Sequence, residues 1–138
     1  ASPDLMFPAL PRPKSPLQQK SYVFGIRAFG AAKAWPLSVF KGGAVINDHL
    51  AGRNLVLLGD SASRTVRAYE RGDRQFLPHD EAGILKTSDG VWQVGEAELT
   101  GPKGDRLPRV AGHIAYWFAW DNYLGLKSEL YTPGDAGK

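Results

Sequence analysis

The chain has 138 residues, 43% of them hydrophobic, with 16 glycines, 10 prolines and a net charge of +3 from 17 basic and 14 acidic side chains. That length suffices for one domain burying roughly 65–70% of its unfolded surface, and so weak and dispersed a charge excludes a nucleic-acid footprint, which needs Lys and Arg gathered on one face. The lack of cysteine excludes disulfides, thiol catalysis and Cys-ligated metal, and no apolar run approaches the ~18–20 residues of a membrane span.

Residues 1–20 hold five of the ten prolines. Proline fixes φ and lacks an amide donor, so an extended arm is expected here, with Leu5, Met6, Phe7 and Leu10 able to pin it to the domain. A start at Ala1 in place of Met leaves two expectations open, a mature exported protein or a piece of a longer chain.

The globular part is expected over residues 21–131. Tyr22 to Phe29 is β-branched and aromatic, with apolar residues at 22, 24, 26 and 28, and predicts a strand with one buried face. Gly30-Ala31-Ala32 reads as a tight turn into a returning strand at Lys33-Ala34-Trp35. Pro36 to Phe40 suits one helical turn, with proline where its missing donor costs nothing. Asn54-Leu55-Val56-Leu57-Leu58 is wholly apolar, the pattern of a strand buried on both faces, and runs into the small polar loop Gly59 to Ser63. Arg64 to Arg71 alternates and predicts an edge strand with one wet face bearing Thr65, Arg67, Tyr69 and Arg71. Ile84 to Val94 reads as a hairpin turning at Asp89-Gly90.

Residues 116–123 contain five of the fifteen aromatics, so the rest of the domain should pack against this stretch. Over 113–123 both a strand and a helix are compatible with the pattern. Length favours a buried helix, with Gly125 placed to end it. Ser128 to Tyr131 would add a last strand before a loose tail over 132–138. The expected fold is α+β and β-dominated: short antiparallel strands and hairpins, barrel- or sandwich-like, with one aromatic-rich helix near the C-terminus.

No strong catalytic motif is present, and no catalytic residue is assigned. There is no phosphate-cradling glycine loop or nucleophile elbow, and nothing implies a cofactor. His49 and His79 read as loop residues, and with His113 they give no metal-ligand spacing. The Gly59 to Ser63 loop follows a central strand, where ligand-binding loops tend to lie. Asp60 there can accept hydrogen bonds and Ser63 can donate them, or both can simply satisfy their own turn. Asn47-Asp48 reads first as a turn device and second as a ligand contact. His113 is expected at the edge of the core with its ring nitrogens on backbone carbonyls. Trp117 and Trp120 are expected in the core unless an exposed pair forms a stacking platform.

The order of these pieces resembles a prokaryotic family known as domain of unknown function number 3179. The resemblance rests on Val23-Phe24-Gly25-Ile26 to Ala34-Trp35-Pro36-Leu37, and on Val45-Ile46-Asn47-Asp48 with Gly52. It continues through Val66 to Arg71, Asp89-Gly90-Val91-Trp92 and Leu99-Thr100-Gly101-Pro102, and then from Leu107-Pro108-Arg109 through His113 to Trp120. Many members carry a Cys-x-x-Cys pair whose cysteines fall on Asp60 and Ser63, so this chain is a variant without it. The resemblance supplies no activity. It implies a periplasmic or extracellular setting, and it makes this chain comparable to the C-terminal part of longer members.

The functional expectation is a non-enzymatic binding or assembly module of the cell envelope. It would hold a partner protein or small ligand with Asn47, Asp48, Asp60, Ser63, His113, Trp117 and Trp120, one of the two tryptophans presenting a partly exposed apolar surface. The alternatives are a hydrolase-like enzyme using Asp60 and His113, or an accessory subunit of a larger membrane or redox complex.

Overall fold

A computed structural model describes residues 21–124 and 128–132. The arm over 1–20, Gly125 and the tail beyond Thr132 lie outside the described residues. Twelve strands are described: β1 (Tyr22–Ala28), β2 (Ala31–Pro36), β3 (Ala44–Leu50), β4 (Arg53–Asp60), β5 (Thr65–Glu70), β6 (Leu77–Pro78), β7 (Ile84–Thr87), β8 (Gly90–Val94), β9 (Glu98–Thr100), β10 (Arg106–Val110), β11 (His113–Tyr116) and β12 (Ser128–Leu130). A 3-10 turn spans Leu37–Phe40, and among the described residues a single α-helix, α1, spans Trp117–Leu124. The fold is α+β and β-dominated, with its aromatic helix near the C-terminus, as the pattern predicts.

A small sheet has the order β11-β1-β2-β12, and a large one runs β3-β4-β5-β10-β9-β8-β7-β6. Pairing is antiparallel apart from β12, which runs parallel to β2. The two ends of the large sheet, β3 and β6, approach one another, so the sheet nearly closes into a barrel. The gap is bridged by Asn47, whose amide donates to Phe76 O and accepts from Phe76 N, both at 2.9 Å. The side chain thus stands in for one residue of a neighbouring strand.

Alternation along the strands divides the interior into three. Phe24, Ile26 and Trp35 of the small sheet face Ile46, Leu50, Leu55, Leu57, Val66 and Ala68 of the large one. Inside the curled large sheet lie Val56, Tyr69, Phe76, Leu85, Trp92 and Leu99. On the outer face of the small sheet, Val23, Ala32 and Ala34 are covered by Trp117 and Trp120. Trp35 and Trp92 are both fully buried. About 200 Å² of ring at about 25 cal/mol/Å² makes each worth about 5 kcal/mol of gross transfer free energy. Strand β4 is buried on both faces because Leu55 and Leu57 serve one core and Val56 the other.

Several local expectations are corrected. The helix starts at Trp117, because His113 to Tyr116 pair with β1 in the register Tyr22 to Tyr116 and Gly25 to His113. It is not buried all round: Trp117 and Trp120 point to the sheet, while Phe118 is 51% exposed. Strand β1 is buried on both faces at Val23 to Ile26, since α1 covers the side away from the large sheet. The β1–β2 turn is Phe29-Gly30, both left-handed at φ 56° and 76°, the two-residue geometry whose twist matches a hairpin. Strand β5 is interior, between β4 and β10, and its expected wet face carries fully buried Tyr69 and mostly buried Arg71. Asn47, Asp48 and His49 sit within β3 and not in a turn or loop.

Candidate functional site

Three polar centres are built on this frame. The first lies between the two sheets. Lys33 shares the inner face of β2 with Trp35, and Asp48 shares the inner face of β3 with Ile46 and Leu50, so the pair meets inside the apolar layer. Asp48 is 1% exposed. Its Oδ2 accepts from Trp35 Nε1 at 2.9 Å and pairs with Lys33 Nζ at 3.0 Å. Its Oδ1 accepts from the His49 amide at 2.8 Å and lies 3.6 Å from His49 Nδ1. Arg71 spends its guanidinium on three carbonyls: Nε donates to Leu55 O, Nη2 to Asp48 O and Nη1 to Arg74 O. Burial lowers the Arg71 pKa from its ordinary value, and Asp48 and Asp73 pull it partly back. A carboxylate with this many donors around it is held for structure, and little of it remains for proton transfer.

The second centre is the turn after β4, where strand ladder gives way to local bonds. Asp60 Oδ1 accepts from the Ala62 amide at 3.3 Å and Oδ2 from Ser63 Oγ at 3.3 Å. The two positions where cysteines would fall are therefore joined here by a hydrogen bond. Arg64 ends the turn in the left-handed region at φ 54° and lays its guanidinium 4.1 Å from the ring centre of Tyr22. Tyr22 stacks on Tyr116 with centroids 4.7 Å apart and planes 21° apart, and its hydroxyl donates to Tyr116 Oη at 3.3 Å. That hydrogen bond, with some burial, raises the Tyr22 pKa, while Arg64 opposes the shift. Tyr116 is 47% exposed, so a column of guanidinium and two rings ends at the surface.

The third centre is an open cleft of about 900 Å³ between the 72–75 turn and the β7–β8 hairpin. Arg74 forms its floor, lying 4.8 Å over the Trp92 ring. Its Nη2 meets Asp105 Oδ2 at 3.0 Å. Its buried Nε has no hydrogen-bond partner among the described residues, the ion-paired carboxylate oxygen facing it being Asp89 Oδ2 at 3.7 Å.

The residues singled out in the sequence do not converge. Asn47 and Asp48 point to opposite faces of β3 and are spent on the barrel closure and the buried pair. Asp60 and Ser63 bond to each other. His113 is exposed and its ring packs edge-on against Trp120 at 5.5 Å. Among the described residues, no hydrogen bond or ion pair connects it to Asp60, and none joins it to the carbonyls expected for it. Trp117 and Trp120 are each 4% exposed, so neither supplies the exposed apolar surface expected of the pair. Trp120 Nε1 donates to Ser128 Oγ at 2.6 Å. Among the described residues no cluster of three His, Cys, Asp or Glu is placed to hold a metal ion, and no helix is long and apolar enough to cross a membrane. Sequence alone assigns Lys33, Arg74, Tyr22 and Tyr116 no site role, and Arg71 only a place on a wet strand face. A lone lysine inside Ala31-Ala32-Lys33-Ala34-Trp35 was the one available signal.

A family model described as a protein of unknown function (DUF3179) matches residues 1–126. No curated protein and no solved structure matches the chain.

Proposed function

We propose that this chain, which belongs to the DUF3179 family, is a non-enzymatic binding or assembly module of the cell envelope that holds its partner against the Arg64–Tyr22–Tyr116 column. One observation carries the reading: two stacked tyrosines and a guanidinium are aligned at the rim of the inter-sheet core, against which Tyr22 packs, and end on a half-exposed ring. A left-handed backbone costs a residue such as Arg64 roughly 1–2 kcal/mol. Strain of this kind tends to persist where function uses it. A rigid, pre-stacked ring binds with little side-chain entropy to lose. An accessory role in a larger complex fits the same face, since docking calls for the same exposed rings.

The hydrolase alternative has less support. Asp60 is engaged with Ala62 and Ser63, His113 lies against Trp120, and the described cleft is lined by neither residue.

The test is photo-crosslinking in the native host, with p-benzoylphenylalanine placed at Phe118 or Ala119, exposed positions that closely follow Tyr116 in the chain, and at Val91 as an exposed control. One discrete adduct is expected from 118 and 119 in the envelope fraction, none from 91, and Tyr116→Ala should abolish it. No adduct at 118 and 119, or the same adducts at all three sites, overturns the proposal.

A further inference from the structure

The cleft between the 72–75 turn and the β7–β8 hairpin takes no part in the reading above, and its lining has a chemistry of its own. We propose that it is a binding site for a neutral saccharide. Its volume of about 900 Å³ falls within the roughly 300–1,000 Å³ of small-molecule sites. The charged side chains that line it are Asp73 and Asp89 against Lys86 and Arg74, so the lining carries no net charge. A site for an anion would leave its cations uncompensated, yet Arg74 is already held by Asp105 and faces Asp89. A site for a metal cation would not gather Arg74 and Lys86. An apolar cofactor or a peptide needs apolar pockets, and Leu77 is the one large apolar side chain of the lining.

The ligand that remains is uncharged and dense in both donors and acceptors. The side chains of Asp73 and Gln75 bond to no described residue, leaving a paired acceptor and an amide that both donates and accepts. Thr87 Oγ1 accepts from Trp92 Nε1 at 3.0 Å and from the Asp89 amide at 3.1 Å. Both its lone pairs are then used, which leaves its hydroxyl hydrogen free to donate. Gly72 removes side-chain bulk from the rim, and Leu77, 53% exposed, offers an apolar patch for the C–H face of a sugar ring. The floor is preformed, because Arg74 is clamped onto a fully buried tryptophan.

The test is titration of the ¹⁵N-labelled chain with cellotetraose, maltotetraose and chitotetraose, followed by amide chemical shifts. With at least one of them, saturable shifts confined to residues 72–77 and 86–89 are expected in the millimolar range. Asp73→Ala should weaken that binding about tenfold or more, while Lys103→Gln, exposed and outside the cleft lining, changes it less than about threefold. No shifts with any of the three sugars, or shifts centred elsewhere, overturn the proposal. So do an unaltered affinity in Asp73→Ala, and equal or stronger cleft shifts with inorganic phosphate or a tetrapeptide. Failure here leaves the Tyr116 face untouched, because crosslinking at Phe118 does not involve the cleft.

Discussion

Replacing Asp48 by Asn removes one charge from the layer between the sheets while keeping the shape. Lys33, 6% exposed, then loses the carboxylate at 3.0 Å and keeps only the rings of Trp35 at 5.6 Å and Tyr131 at 5.8 Å as favourable electrostatic neighbours. Breaking a buried pair by removing one partner costs about 3–5 kcal/mol, because the other charge stays behind uncompensated. The two rings return at most about 1–2 kcal/mol of that, so the expected loss is about 3 kcal/mol. Against a total of about 5–15 kcal/mol for a domain, that is a large share. At about 3–4 °C per kcal/mol it lowers Tm by about 10 °C. Urea unfolding followed by tryptophan fluorescence reads the loss as a lower midpoint at unchanged slope. The double variant Lys33→Met/Asp48→Asn removes both charges and leaves an amide oxygen for Trp35 Nε1, so it should lose only about 1–2 kcal/mol. The implied coupling between the two positions is about 2 kcal/mol or more. A cost below about 1 kcal/mol for Asp48→Asn, or a double variant equal to the sum of the singles, would refute the reasoning.

Three further outcomes follow from the packing. In Gly25→Ala the new Cβ would lie 2.3 Å from the Trp120 ring, so the ring must leave β1; a loss of about 2–3 kcal/mol and a red-shifted tryptophan emission are expected. In Asn47→Leu both backbone groups of Phe76 lose their partner, which costs about 1–3 kcal/mol each; hydrogen exchange at the Phe76 amide should rise well before global unfolding. Tyr22 should titrate above its ordinary pKa of 10.0, read by absorbance of the phenolate, and Tyr116→Phe should bring it back down. Since the folded value is raised, the linked stability is complete below the unfolded pKa and is lost as pH rises through the folded one.

What was legible in the sequence was mostly local. The Asp89-Gly90 hairpin, the two-faced apolar strand β4, the helical turn after Pro36 and the core placement of Trp117 and Trp120 follow from short-range chemistry. The errors came from partners far along the chain. His113 to Tyr116 suit a helix until the register with β1 claims them as a strand. Arg67 and Arg71 make β5 look like a wet edge, yet Arg71 can be buried because three carbonyls from β3, β4 and the 74 position converge on it. The candidate site was half legible. The Asp60 to Ser63 turn stands where its residue types suggest, but the column depends on Tyr22 facing Tyr116 across 94 residues, which no local pattern announces.

Strand β3 shows why the most motif-like residues were poor guides to a binding surface. Successive side chains on a strand point to opposite faces, and here both faces are interior. Ile46, Asp48 and Leu50 enter the layer between the sheets, while Val45 and Asn47 enter the curled sheet. A polar residue on either face must therefore be fully bonded or cost several kcal/mol. Asn47 meets that demand by closing the large sheet and Asp48 by pairing Lys33. Polar residues at such positions are held in place by the fold, and substituting them changes stability first. Groups that can serve recognition must lie where strands end and side chains are not already committed. In this fold those places are the Arg64 turn with its tyrosine column and the cleft above Arg74. Variants that separate binding from stability should accordingly be sought at Tyr116, Phe118 and Asp73, and those in β3 should lose both together.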